Sequence, residues 1–177
     1  VDADGRIRFF GHDEQGATLA RKIGARLRLS GDETDRLVRI VRHHMRPLLL
    51  LQQGNLPTRR AIYRFFRDTG DAGVDVCLHA LADTLGTYGV TLRQEIWLEQ
   101  LNATAALLDA QYTQAEHVIS PPLFFDGREI MAEFRLPPGR QIGELLEALR
   151  EAQAAGELRD RAAALRFLQR KLGPNQG

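Results

Sequence analysis

Long apolar runs are missing from this 177-residue chain, and no segment approaches the ~20 uninterrupted apolar residues that a membrane span needs. No membrane partner is expected. Cysteine is nearly missing as well: Cys77 stands alone, which excludes an internal disulfide and a cysteine-based zinc site and favours a reducing compartment, the cytoplasm. Lysine is scarce, since Lys22 and Lys171 are the only two among 24 basic residues. The rest are arginines, which keep their charge at any working pH and offer phosphate two donors at once. No basic-then-apolar leader follows Val1; a first residue other than Met is read as a processed chain or a piece cut from something longer. What is present suffices for a fold. With 44% hydrophobic and 27% charged residues, 16 Gly and 7 Pro, the chain is neither collagen-like nor disordered, and it is long enough for one sizeable core or two small ones.

The net charge of +1 conceals an asymmetry: residues 1–70 hold 14 basic against 8 acidic residues, and residues 71–177 hold 10 against 15. A basic N-terminal half fits a phosphate-rich partner, although GC-rich coding would also enrich arginine.

Helical periodicity dominates the chain. Gly16, Ala20, Ile23 and Leu27 share one face, with small residues that predict close helix approach. Ser30 to Glu33 reads as a capping box, opening a helix whose apolar stripe is Leu37, Ile40, Val41 and His44. Met45-Arg46-Pro47 ends it. Thr58 is placed to cap the next helix, with Ile62, Phe65 and Phe66 on one side, and Gly70 to Gly73 breaks that helix. Cys77, Leu78, Leu81 and Leu85 predict the following buried stripe. Thr91 to Gln94 reads as a second capping box, opening a long helix with Trp97, Leu101, Ala105, Leu108 and Tyr112 on one face. Asp126 to Glu129 caps a short helix, Ile142, Leu145, Leu146 and Leu149 form the core face of another, and Leu165, Leu168 and Leu172 lie on the last. Alternation of useful length occurs only at Arg6 to Phe10. The expectation is an all-α, multi-helical bundle in two parts, residues 1–90 and residues 91–177, with a further break at Ser120-Pro121-Pro122.

Three stretches carry a family resemblance: Asp4-Gly5-Arg6-Ile7-Arg8-Phe9-Phe10-Gly11-His12-Asp13-Glu14-Gln15-Gly16-Ala17, then Val41-Arg42-His43-His44-Met45-Arg46-Pro47, then Leu81-Ala82-Asp83. They resemble the HD-domain region of bacterial tRNA nucleotidyltransferases, the CCA-adding enzymes, and the related poly(A) polymerases. Pro122-Leu123-Phe124-Phe125-Asp126-Gly127-Arg128-Glu129, Pro138-Gly139-Arg140-Gln141-Ile142-Gly143 and Gly156-Glu157-Leu158 extend the resemblance over nearly the whole chain. It implies an HD-like helical body over 1–90 and an RNA-binding helical tail over 91–177. It also implies that the catalytic head, with its Mg²⁺ and its ATP or CTP, is absent from this chain. No catalytic residue is therefore expected here. The choice among CCA-, A- or C-adding enzyme and poly(A) polymerase stays open, because it resides in that head, and so does the oligomeric state.

The resemblance matches His12, His44 and Asp83 to HD metal ligands and leaves the His-Asp doublet itself upstream; His12-Asp13 is the next histidine motif. A divalent ion at this incomplete site is an open option, set against hydrogen-bonded polar residues of no catalytic use. Periodicity turns His44 inward and His43 outward with Arg36 and Arg39. His79 shares a face with Asp83 at i, i+4. For RNA, Arg60, Arg64 and Arg67 form one line on a helix, with Arg59 and Tyr63 beside them, and Arg39, Arg42 and Arg46 form another. Such lines track a phosphate backbone, unless they are solvated faces with internal ion pairs. Asp68 is the only acid between Arg39 and Gly70. Gly139, Arg140 and Gly143, at a loop running into a helix start, read as an anion site, the alternative being glycines used for helix packing. The first expectation is an RNA-binding portion that positions tRNA. Its rivals are an HD-type metal-dependent phosphohydrolase acting on phosphate esters or cyclic nucleotides, and a dimerising helical module.

Overall fold

The structure, a computed structural model, describes residues 11–51 and 56–173. The Arg6 to Phe10 segment lies outside them. Every regular element among the described residues is helical: α1 (His12–Arg26), α2 (Gly31–His43), α3 (Arg46–Leu49), α4 (Arg59–Thr69), α5 (Gly73–Tyr88), α6 (Gln94–Thr113), α7 (Gly127–Phe134), α8 (Arg140–Ala154) and α9 (Arg161–Leu172), with 3₁₀ turns at Gly70–Ala72 and Gly89–Thr91 and a π-helical turn at Ala115–Ile119. The chain divides into two compact units. The first comprises Val1–Leu56 and Asp68–Leu108, the second Pro57–Arg67 and Asp109–Gly177. The first stretch of α4 therefore belongs with the C-terminal segment, and both α4 and α6 run across a unit boundary.

In the first unit, α1 and α2 pack through small residues. A Cβ added at Gly16 would lie 2.9 Å from Val41, and one at Gly24 would lie 2.9 Å from Thr34. Ala17, Ala20 and Val38 are buried there, with Leu37 and Val41 packed against them. Leu27 is exposed instead, because α1 ends at Arg26 and the chain turns away through Arg28, a non-glycine residue at φ +59°. Ser30 caps α2 with the expected reciprocal pair: its hydroxyl accepts from the Glu33 amide, and the Glu33 carboxylate accepts from the Ser30 amide.

The stripe expected on α5 is displaced by one position. Val76, Cys77, Ala80 and Thr84 are buried, whereas Leu78 is 55% and Leu85 48% exposed. On α6 the buried side is Gln100, Ala103, Thr104 and Leu107, continuing to Ala110, while Tyr112 is 72% exposed. Small and polar residues thus lie inside, and Gln100 is held there by donating to the carbonyl of Ala80 at 3.0 Å, which satisfies part of a buried amide. Thr91 does not cap α6. It sits in a 3₁₀ turn with its hydroxyl donating to the Tyr88 carbonyl at 2.6 Å, and α6 starts at Gln94.

The second unit follows its apolar pattern closely. Phe125, Ile130, Ile142, Leu145, Leu149, Ala152, Leu158, Ala164 and Leu168 form one buried cluster, with Leu146, Leu165 and Leu172 packed against it. Ile62, Phe65 and Phe66 on α4 are buried, and the Phe65 and Phe66 rings meet edge to face at 5.0 Å between centroids. Thr58 accepts from the Ala61 amide. Asp126 and Glu129 form a complete capping box on α7.

Candidate nucleic-acid interface

The arginine line on α4 exists, and every member of it is engaged. Arg64 donates through Nε and Nη2 to one oxygen of Glu151, at 3.1 and 2.6 Å. Arg60 lies 3.3 Å from Glu151 and 2.7 Å from Glu157, and Arg67 lies 3.2 Å from Glu147. Arg59 donates to the backbone carbonyls of Ala154 and His117. Tyr63 lies inward beside the line, with its hydroxyl 3.1 Å from both oxygens of Glu147. Burial, reinforced by the Glu147 charge and hydrogen bond, pushes its phenol pKa up to about 12. The Arg64 hydrogen bond, with the charges of Arg64, Arg60 and Arg67, holds the Glu151 carboxyl below the usual carboxylate range. An ion pair in this setting forms a ladder between two helices. Phosphate would reach these guanidinium groups only at the expense of carboxylates already in place.

The second line is paired in the same manner. Arg36 meets Asp75, Arg39 meets Asp71, Arg42 meets Glu14 and Arg46 meets Asp68. Except for Asp68, these acids lie outside the 39–70 stretch in which acids are scarce.

Gly139 caps the start of α8, and Arg140 pairs with Glu144 at 2.7 Å one turn on. A Cβ at Gly139 or at Gly143 would meet nothing within 4 Å. Helix packing therefore does not require either glycine, and the helix start is open to an anion.

The structure brings His12 and His44 together, with their Nε2 atoms 3.3 Å apart. His44 Nδ1 lies 2.7 Å from the Val41 carbonyl. A carbonyl only accepts, so Nδ1 carries the hydrogen and Nε2 of neutral His44 presents its lone pair toward His12. Two nitrogens on one tetrahedral Zn²⁺ would stand about 3.3 Å apart, so this pair fits two ligand positions. His79 packs its ring against His44 at 5.7 Å, and Asp83 is half-buried one turn further along α5. Among the described residues, no three His, Cys, Asp or Glu side chains converge to hold an ion. His43 is half-buried rather than outward, and burial, then the charge of Arg46, lowers its pKa.

Sequence reasoning missed two features, the first without any signal and the second marked only by its i, i+4 spacing from Asp83. One is the π-helical turn at Ala115–Ile119, a rare element often found at functional positions. It borders a cleft of about 590 Å³ lined by Arg59, His117, Arg159, Gln153 and Pro122 among others. The other is the role of His79 in completing the row of three rings.

No family model matches the chain. It is 35% identical over 169 residues to a CC-adding tRNA nucleotidyltransferase of Thermus thermophilus, an alignment that covers 93% of this chain and 34% of that protein. An A-adding tRNA nucleotidyltransferase of Deinococcus radiodurans is 32% identical over 94% of the chain and 36% of its own length. A CC-adding tRNA nucleotidyltransferase of Geobacter sulfurreducens is 46% identical over a shorter stretch of 63 residues. The chain spans about a third of the length of the first two relatives. Along nearly all of its own residues, then, this helical chain is a relative of the tRNA nucleotidyltransferase family.

Proposed function

We propose that this chain holds tRNA for 3′-end nucleotide addition in the cytoplasm, and that the addition itself is performed by a nucleotidyltransferase head outside these 177 residues. One observation carries the reading. The same stretch aligns at similar identity with a CC-adding and with an A-adding enzyme, so what it shares with both is unrelated to the choice of nucleotide and is common to their substrate, tRNA. Its contribution is placement of the acceptor end, a means of lowering a barrier without supplying reacting groups. The candidate contacts are the open α8 start, with Gly139, Arg140 and Gly143, and the line of Arg59, Arg60, Arg64 and Arg67, of which the last three would exchange their glutamate partners for phosphate. Together they suit recognition of duplex shape and phosphate rather than bases. A head that binds Mg²⁺ and ATP or CTP completes the scheme. Equilibrium binding of a tRNA transcript to the chain, repeated across a salt series, tests the reading. Affinity is expected to fall steeply and linearly on a log–log plot; no binding, or binding indifferent to salt, refutes it.

A second reading, a metal-dependent phosphohydrolase with His12, His44 and Asp83 as ligands, rests on the His12–His44 geometry. A divalent ion there would polarise a phosphate ester or activate water. Calorimetric titration with Zn²⁺ or Ni²⁺, together with an assay on a generic phosphodiester, decides it: no heat of binding and no hydrolysis eliminate the hydrolase.

A further inference from the structure

Two guanidinium groups that no described carboxylate engages lie side by side on the last helix. Arg166 and Arg170 stand one turn apart on α9, both exposed, and neither forms an ion pair with a described residue. They line a groove of about 950 Å³ with Gln169, Leu172, Glu133 and Phe134. Among the described residues Glu133 is the one carboxylate on that lining, against two arginines. Phe134 is half-buried, packed against the core of the second unit on one side while bordering the groove. Beyond the groove, Lys171 lies 5.8 Å over the ring of Phe167 and adds a third cation to this end of α9.

We infer that this groove binds an unpaired stretch of RNA, with a base stacked on Phe134 and the flanking phosphates held by Arg166 and Arg170. The proposal rests on the tRNA-holding reading and adds a place for single-stranded nucleotides to it. An aromatic face beside cations is the combination that unpaired nucleic acid uses, since every base offers a π face and every linkage a charge. Two guanidinium groups about 6 Å apart along a helix match successive positions on such a strand. The arginine ladder on α4 lacks both features: its cations are paired with glutamates, and Tyr63 beside them is buried.

The test measures binding of a labelled tRNA transcript and of a short unstructured oligoribonucleotide to the full 177-residue chain by fluorescence anisotropy over a salt series. Arg166→Ala combined with Arg170→Ala is expected to weaken both by about tenfold or more and to reduce the salt slope by roughly one to two units. Phe134→Leu keeps an apolar side chain against the core and is expected to weaken oligoribonucleotide binding by at least about threefold with the salt slope unchanged, because stacking on an aromatic face carries no charge. If the double variant binds RNA with wild-type affinity and slope, the groove assignment is wrong while the tRNA-holding reading stands. If the wild-type chain binds no RNA, that reading fails first. Displacement of the oligoribonucleotide by poly-glutamate as effective as by RNA of equal charge also overturns the groove assignment, since it leaves Phe134 without a part.

Discussion

Helices α4 and α9 both carry arginines at helical spacing and both bury an apolar face in the second unit, yet they use their charges differently. On α4 the guanidinium groups meet Glu147, Glu151 and Glu157 and have become part of the packing. On α9, Arg166 and Arg170 face a groove with no carboxylate partner of their own. Spacing alone does not separate the two cases. What separates them is whether acids come to meet the line from another element, and those acids lie 80 to 97 residues away in sequence.

The comparison is tested first where the two helices are alike. Phe65→Ala on α4 and Leu168→Ala on α9 each remove a fully buried side chain and are expected to cost about 3 to 4 kcal/mol in urea unfolding; an effect under about 1 kcal/mol at either site would mean that helix is not anchored as described. The difference between the helices is tested next. Glu151→Ala leaves Arg60, Arg64 and Arg67 without their shared acceptor and is expected to cost about 2 kcal/mol, measured by the same unfolding. Acid gives a third measurement. Glu151, Glu33 and Glu129 all have carboxyl pKa values below the ordinary 4.5, so the stability they contribute is complete above about that pH and is lost as pH falls through their folded values. Thermal midpoints should therefore decline on acidification below pH 4.5, and less steeply for Glu151→Gln. The smallest effect belongs to α9: Arg166→Ala with Arg170→Ala is expected to leave stability within about 0.5 kcal/mol of wild type, and a larger loss would show that these arginines have structural partners.

Local chemistry was the legible part of this fold. The capping boxes at Ser30–Glu33 and Asp126–Glu129 involve residues three apart, and both form. The stripe of Ile142, Leu145 and Leu149 is strongly amphipathic and lies where its period places it. Helices α5 and α6 were harder to read because apolar residues occur on more than one side of each, and the buried faces went to Ala80, Ala103 and Thr104, small enough for helices to approach, rather than to Leu78 or Tyr112. Of the candidate sites, the pairing of His12 with His44 followed from the resemblance and from the inward register of α2. The neutralisation of the arginine lines did not, since counter-ions from remote helices leave no trace within a sequence window. His79 was visible only as one end of an i, i+4 pair with Asp83, whereas its ring faces His44.

Because Pro57–Arg67 belongs to the same compact unit as Asp109–Gly177, no single cut in the polypeptide releases that unit whole. An exchange of tails between related enzymes would have to transfer two separate gene segments together, or Glu147 and Glu151 would arrive without the arginines and the tyrosine that neutralise and seat them.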